Sequence, residues 1–198
     1  MKRFYELRLL LLPAFLLFLI SGCTAPDVKD DFKNTSFQLV NQKGEQVTFP
    51  DDFNDSYTLV GYIYTHCPDI CPMIISNMKK IQKQVEREVD KPVKFVGISF
   101  DPERDDPRQL RKYFDAHELN SPEWTFLTGD TTTVDSLMNR MGIFTEVSYS
   151  SVTGAGEEVY FITHTDRISL FDTQGRLRQN YRGSSTPPEL FIEDLNAL

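Results

Sequence analysis

The chain has 198 residues, of which 40% are hydrophobic and 25% are charged, with 29 acidic residues against 21 basic ones. This length and apolar content suffice for one domain with a substantial core. The net charge of −8 argues against a nucleic-acid-binding protein and against direct adhesion to an anionic lipid surface.

The first 22 residues have the organisation of a secretory signal. The short basic start MKRFYELR precedes the apolar run LLLLPAFLLFLI, which is too short for a membrane span of roughly 20 residues. The run ends in Ser-Gly-Cys, which resembles the bacterial lipoprotein signal, in which the cysteine becomes the lipidated first residue. We predict a lipoprotein signal peptide over residues 1–22 and a lipid on Cys23. The alternative is an ordinary cleaved signal with a cysteine nearby.

The next segment, residues 23–34, is polar and rich in aspartate and lysine, and we predict that it is a tether. The folded domain is then predicted over residues 35–198. Removal of the signal leaves 18 basic and 28 acidic residues, a net charge of −10. We expect the lipid to anchor this acidic domain to a bacterial membrane, with the domain facing the periplasm or the cell exterior.

The first half of the domain predicts a hairpin, then a strand and a helix. Two short β-type runs surround the turn at 41–44 and predict a β-hairpin over 37–49. The near-continuous apolar run 57–65 predicts a buried central strand. A helix is predicted to begin at Pro72, and its apolar face, with spacings of three and four, holds Ile74, Met78, Ile81, Val85 and Val89.

The middle of the domain repeats strand and helix twice. Strands are predicted over 93–100 and 124–129, and helices after Asp106-Pro107 and after the N-cap Asp130. The apolar face of the first of these helices holds Leu110, Tyr113, Phe114 and His117. That of the second holds Val134, Leu137, Met138 and Met141.

The last part of the chain contains extended segments and one more helix. Residues 146–164 predict a hairpin or loop that leads into an extended run, and residues 167–181 predict a hairpin. A final helix begins at Pro187-Pro188, with Leu190, Phe191 and Leu195 as its apolar contacts. Strands that alternate with helices predict one α/β domain, in which helices cover both faces of a central mixed sheet and the last hairpin supplies an antiparallel edge.

Two cysteines, Cys67 and Cys71, lie between the buried strand at 57–65 and the following helix. If Cys23 is lipidated, they can pair only with each other or with a foreign group. A disulfide that closes so short a loop removes little entropy from the unfolded chain, so a purely structural bridge is a weak explanation. A cysteine pair in a βαβ context is instead typical of a thioredoxin-type redox site.

The cysteine loop also predicts activated thiols. With Pro72 at the first helical position, Cys71 is the expected N-cap, and the helix dipole favours thiolates there. Redox sites of the thioredoxin type have two residues between the cysteines, whereas this chain has three. The longer, exposed loop leaves room for both sulfurs to converge on a metal ion, which would need a third ligand.

Three histidines are candidates for that ligand. His117 lies on the apolar face of a predicted helix and is best explained as a core or boundary residue. His66 adjoins Cys67, but neighbouring side chains of an extended chain point apart. His164 lies where one extended run ends and the next begins, so that position alone leaves its role open.

The stretches GYIYTHCPDICP (61–72) and ISFDPERDDP (98–107), with a single histidine ahead of SLFDTQGRL (169–177), resemble the Sco/SenC family. The resemblance runs from Phe37 to the C-terminus and implies a thioredoxin-like fold. It also implies copper, bound as Cu(I) or Cu(II). Two small departures are Asp106, where the family commonly has threonine, and the threonines around His164, where the family has an Asp-His-Ser run.

The resemblance implies roles for individual residues. Cys67, Cys71 and His164 match the copper ligands of the family. Asp69 matches the acidic residue inside the cysteine motif, and Asp101 begins the loop that faces the site. Two thiolates and an imidazole suit copper, whereas zinc usually takes a fourth ligand and calcium or magnesium an oxygen cage.

Two functions follow as hypotheses. The first, which the resemblance implies, is delivery of copper to the CuA site of cytochrome c oxidase, or to another copper-site protein. The second is an enzyme, a thiol–disulfide oxidoreductase that reduces the cysteines of such a partner. In it Cys67 attacks, Cys71 resolves the mixed disulfide, and His164 is a general base or a bystander. We expect a monomer, held at the membrane by the lipid on Cys23.

Overall fold

The computed structural model describes residues 25–154, 156 and 158–198, and within them ten strands and four α-helices follow one another. In chain order these are β1 (Asp30–Asp31), β2 (Phe37–Asn41), β3 (Gln46–Phe49), β4 (Tyr57–Ile63), α1 (Ile70–Glu88), β5 (Val93–Ser99), α2 (Pro107–Ala116), β6 (Trp124–Thr128), α3 (Thr131–Met141), β7 (Thr145–Val152), β8 (Glu158–His164), β9 (Ile168–Phe171), β10 (Arg176–Tyr181) and α4 (Pro188–Ala197). The predicted signal peptide and Cys23 lie outside the described residues. None of the helices in this part of the chain is both long enough and apolar enough to cross a membrane.

The strands form one large sheet and one small one. The large sheet has the order β1-β10-β9-β4-β5-β6-β2-β3, and among the described residues β7 and β8 form a separate pair. Strands β4, β5 and β6 are parallel, whereas β9 is antiparallel to β4 and β2 is antiparallel to β6. Helix α1 packs on α4 and β4, α2 contacts β6, and α3 contacts β2. The predicted α/β fold, with its mixed sheet flanked by helices, its N-terminal hairpin and its inserted hairpin, is confirmed.

The central pair of strands positions the cysteine loop. All seven residues of β4 are buried, as its continuous apolar run predicts for a strand with neighbours on both sides. Strand β5 lies parallel to β4 with Ile63 opposite Ser99. The loop after β4 and the loop after β5 therefore leave the sheet side by side at its carboxyl edge, where open α/β sheets place their binding sites.

The packed part of the chain begins before residue 35, the predicted start of the domain. Asp30–Asp31, within the predicted tether, pairs with β10 at the edge of the sheet. Phe32 is fully buried, and its ring lies 5.4 Å from that of Phe171. Arg140 of α3 donates two hydrogen bonds of 3.0 Å to the carboxylate of Asp30. The segment was predicted to be a tether because most of its residues are polar, and that prediction gave no weight to the one aromatic residue, Phe32, that packs against the core.

Two predicted helix details are wrong. Helix α1 begins at Ile70, not at Pro72, because the side chain of Asp69 caps it by accepting a hydrogen bond from the Ile70 N–H. Proline is tolerated in the first turn, where its missing N–H would have no partner within the helix. In α4, Leu190 is 50% exposed, and Ile192 is buried in its place together with Phe191 and Leu195. The caps predicted at Asp106 and Asp130 are confirmed.

Candidate metal centre

The first turn of α1 holds both cysteine side chains near one another. Cys71 is the second residue of the helix, so the prediction that it is the N-cap is wrong. Its backbone N–H has no partner within the helix and donates instead to Sγ of Cys67 at 3.3 Å. The sulfur of Cys67 thus occupies the position of an anionic cap at the positive end of the helix dipole.

His164, the last residue of β8, completes the cluster. Its Nε2 atom lies 3.4 Å from Sγ of Cys71, and the two sulfurs and one imidazole nitrogen all lie within 4.8 Å of one another. The Nδ1 atom lies 3.1 Å from the carbonyl oxygen of Thr165, which can only accept. Nδ1 therefore carries a proton, and in the neutral form of the ring Nε2 has the lone pair that can take a metal ion or a thiol proton.

Aromatic rings fix the plane of the His164 imidazole. The ring centroid of Phe100 lies 4.7 Å from that of the imidazole, and the ring of Tyr64 meets it edge-on at 6.1 Å. These two residues directly follow β4 and β5 in the chain. The sequence analysis missed their role, although each continues an apolar run at the edge of the sheet that faces the site.

The two thiols differ in acidity. The side-chain hydrogen bond with Cys71 lowers the pKa of Cys67 to about 4 against the opposing effect of burial, and the Cys71 backbone N–H lowers it further. Burial, followed by the nearby Cys67 sulfur, raises the pKa of Cys71. At neutral pH, Cys67 is therefore a thiolate and Cys71 a thiol. A metal ion bound by both sulfurs displaces the Cys71 proton.

The sequence predicted that the cysteines lie on an exposed loop, and this prediction is wrong. Cys71 has no exposed surface and Cys67 is 8% exposed. Residues of the cysteine loop, the start of α1 and strand β8 line a cleft of about 300 Å³ beside the cluster. The lining of this cleft includes Cys67, Asp69, Ser148, Phe161, His164 and Arg182.

The other candidate residues lie outside the cluster. The His66 ring is not part of the cluster, and its Nδ1 lies 3.1 Å from the hydroxyl of Thr65 and 3.8 Å from the carboxylate of Asp105. The His117 ring packs against Tyr113 at 4.3 Å, as expected of a boundary histidine. Asp69 caps α1, and its carboxylate lies 3.9 Å from Sγ of Cys67. Asp101 is buried and pairs with Arg104, so it is no ligand to this cluster.

A buried carboxylate that the sequence analysis did not single out supports the cysteine loop. Asp105 accepts hydrogen bonds from the N–H and the hydroxyl of Thr65, at 2.9 and 2.6 Å, and from the hydroxyl of Ser99 at 2.6 Å. Burial raises the pKa of Asp105. These bonds tie the residue two positions before Cys67 to the end of β5. Asp105 is part of the motif DPERDDP, but its partner Thr65 lies 40 positions earlier in the chain, so no local sequence pattern predicts this contact.

The ligand chemistry of the cluster fits a soft metal ion. Thiolate–metal bonds are about 2.3 Å and imidazole–metal bonds about 2.0 Å, so ligand atoms at the observed separations need to close only slightly around one ion. Two thiolates and one imidazole suit Cu(I) with three ligands, whereas zinc prefers a fourth in a closed site. The cluster also has the two groups of a dithiol redox centre, an acidic thiol that lines the cleft, Cys67, and a fully buried one, Cys71.

Comparisons with known proteins agree with this assignment. A family model described as SCO1/SenC matches residues 26–198. The SCO1 protein homolog of Bacillus subtilis (strain 168) is 28% identical over 191 residues, which cover 94% of each chain. The structure of Bradyrhizobium japonicum ScoI with copper bound has a TM-score of 0.67 and 29% identity, and the match covers 82% of this chain and 98% of that one.

A third similar protein adds a redox aspect. It is BsSco, described as having a disulfide switch and as a member of the Sco family of cytochrome c oxidase assembly proteins. It has a TM-score of 0.67 and 25% identity to this chain, with 88% of this chain and 96% of BsSco covered.

Proposed function

The chain belongs to the SCO1/SenC family, and we propose that it is a membrane-anchored copper protein that delivers copper to the CuA site during assembly of cytochrome c oxidase. The observation that carries this proposal is the convergence of Cys67, Cys71 and His164 within 4.8 Å. The similarity to a copper-bound ScoI and to a protein of the cytochrome c oxidase assembly family supports the metal and the process.

The three ligands have different parts in the transfer. Cys67 and His164 line the cleft, whereas Cys71 is covered completely. Donor atoms of a partner therefore reach copper from the side of Cys67 and His164, and these ligands leave first. Cys71 holds the ion until the partner has supplied its own thiolates, so no free copper is released.

The anchor belongs to the same proposal. The signal-like residues 1–22 and the Ser-Gly-Cys sequence support a lipid on Cys23, and the chain then reaches the sheet at Asp30. This short connection keeps the copper site near a membrane subunit that carries CuA, on the periplasmic or outer side of a bacterial membrane. The domain acts as a monomer in this arrangement.

A thiol–disulfide oxidoreductase is the second candidate, and the low pKa of Cys67 favours it. In this reaction the Cys67 thiolate attacks a disulfide of the partner, whose S–S bond breaks and releases one thiolate. Cys71 then passes its proton to Nε2 of His164, attacks Sγ of Cys67 and releases the second thiolate. The partner gains two electrons, and this chain ends with a Cys67–Cys71 disulfide. The disulfide switch described for BsSco supports this second function.

One experiment separates the two functions. In the first mixture, a copper-free CuA domain with reduced cysteines is added to the copper-loaded protein. In the second mixture, a CuA domain whose cysteines form a disulfide is added to the reduced, copper-free protein. In the first mixture we expect copper to move to the CuA domain, measured as the copper content of that domain after the two proteins are separated. In the second mixture we expect free CuA-domain thiols only if the oxidoreductase reaction also occurs. His164→Ala abolishes the first result, and His66→Ala, in which the ring removed lies outside the cluster, is the matched control. Failure of copper to move to the reduced domain contradicts delivery.

A further inference from the structure

A buried ion pair attaches the strand that carries His164 to the body of the domain. The guanidinium of Arg104 donates through Nε to the carboxylate of Asp101 at 2.5 Å and through one terminal nitrogen to the carbonyl oxygen of Tyr160 at 2.9 Å. The Cζ atom of Arg104 lies 3.4 Å from the ring centroid of Tyr160. The Tyr160 hydroxyl donates to the other oxygen of Asp101 at 2.8 Å. Arg104 and Asp101 are only 19% and 4% exposed.

These contacts lie on the same side of β8 as the metal ligand. Side chains alternate along a strand, so Tyr160, Ile162 and His164 project from one face. Tyr160 is tied to the loop after β5, and the backbone N–H of Ile162 donates to the hydroxyl of Tyr64 at 3.1 Å. His164 is thus the last of three residues on this face of β8, and the first two, Tyr160 and Ile162, are hydrogen-bonded to the rest of the domain.

The hairpin depends on these ties for its position. Within the described part of the chain, strands β7 and β8 pair with each other and with no strand of the large sheet. A two-stranded hairpin is only marginally stable by itself. Most of the β7 side chains are exposed, including Val147, Tyr149 and Val152. Contacts of β8 with the body of the domain therefore decide where His164 lies.

We propose that Arg104 is a positioning residue, which with Asp101 and Tyr160 holds the imidazole of His164 within bonding distance of the metal bound by Cys67 and Cys71. This inference rests on the proposed copper site. The planar fork of an arginine serves both Asp101 and the Tyr160 carbonyl while it stacks on the ring, which a lysine cannot do. Through β8, Arg104 acts on the histidine and leaves the two sulfurs in place.

The test compares Arg104→Gln with Arg111→Gln, which removes a guanidinium from the exposed pair with Asp115 on α2. Cu(II) affinity and the electron paramagnetic resonance spectrum report on the imidazole ligand. We expect Arg104→Gln to lower Cu(II) affinity about 10- to 100-fold, the usual effect of losing a residue that orients a ligand, and to change the spectrum. We expect Arg104→Lys to have a Cu(II) affinity between those of wild type and Arg104→Gln, and Arg111→Gln to have the affinity and spectrum of wild type. In the copper-free protein, the Ile162 amide exchanges faster with solvent in Arg104→Gln.

The double variant with His164→Ala decides whether Arg104 acts through the histidine. We expect Arg104→Gln to cause no further loss of Cu(II) affinity once His164 is absent. An equal loss in both backgrounds, or an unchanged affinity and spectrum in Arg104→Gln, overturns the inference. If His164→Ala alone binds Cu(II) as wild type does, the proposed copper site is what fails. Tyr160→Phe, which deletes only the bond to Asp101, gives the same comparison if Arg104→Gln does not fold.

Discussion

Sγ of Cys71 and Nε2 of His164 lie 3.4 Å apart, although 93 positions separate them in the chain. One belongs to the first turn of α1 and the other to the last residue of the inserted hairpin. Neither atom is exposed on a mobile loop: the sulfur is fully covered, and two aromatic rings flank the imidazole. The cluster is therefore a product of the complete fold, in which a thiol, a thiolate and an imidazole meet beside one cleft.

The acidity of Cys67 leads to a prediction about its reactivity. With a pKa of about 4, this thiol stays ionised as pH falls from 8 to 6, and it is protonated only near pH 4. Alkylation of the metal-free, reduced protein should therefore change little between pH 8 and pH 6. A thiol with the ordinary value of 9.0 would slow roughly 100-fold over the same range, because only the thiolate reacts. Tandem mass spectrometry after iodoacetamide treatment distinguishes Cys67 from Cys71.

The partner thiol provides the control for this experiment. In Cys71→Ala the largest cause of the low pKa is gone, so the pH at which Cys67 loses reactivity should rise. Buried Cys71 in the wild-type protein should remain unmodified at every pH tested. A rate for Cys67 that falls tenfold for each pH unit below 8 would show that its thiolate is not stabilised.

The carboxylate of Asp105 should be important for stability. Asp105→Ala leaves the Thr65 N–H and the Ser99 hydroxyl without their acceptor in a buried site. We expect the free energy of unfolding of the reduced, metal-free protein to fall by about 2–4 kcal/mol, measured by urea titration. Asp105→Asn should cost less, because its amide oxygen can still accept one of these bonds.

An aspartate on the surface gives the matched comparison for that substitution. Asp115→Ala removes the partner of Arg111 on α2, where both side chains are about half exposed. This change should alter the free energy of unfolding by no more than about 0.5 kcal/mol. Equal effects of the two alanine substitutions would contradict the role of Asp105 as a tie between the cysteine loop and β5.

The predicted anchor has its own test. The protein produced in bacteria should carry a fatty-acyl label, sediment with membranes and begin at a modified Cys23. Cys23→Ser should lose the label and appear in the soluble fraction with its copper site intact, because Cys23 precedes the packed part of the chain. Absence of a lipid label from the wild-type protein, or an N-terminus at a residue other than Cys23, would support an ordinary cleaved signal.

The local features of the fold were predictable from the sequence, because neighbouring residues determine them. The apolar run of β4 predicted a central strand, and the aspartates before α2 and α3 predicted their caps. The start of α1 was misplaced because proline at its third position was taken for the first, while the true cap, Asp69, is itself part of the cysteine motif. The β1 strand was missed because its two aspartates read as solvent-exposed polar residues, and only pairing across the sheet makes them a strand.

The site shows the same division between local and long-range information. Cys67 and Cys71 were evident from their spacing, and the family resemblance identified His164. Two features of the site could not be predicted, the complete burial of Cys71 and the contact between Arg104 and Tyr160, which are 56 positions apart. Both depend on how the β7–β8 hairpin packs against the rest of the domain. No periodicity or turn signal specifies that docking.

The central claim is that two sulfurs and one imidazole form a copper site, and an anaerobic copper titration of the reduced protein tests it most directly. We predict one tightly bound copper ion for wild type and for His66→Ala, much weaker binding for His164→Ala, and none for Cys67→Ser/Cys71→Ser. Binding by His164→Ala that equals wild type would contradict the three-ligand site and leave dithiol exchange as the function of the cysteine pair.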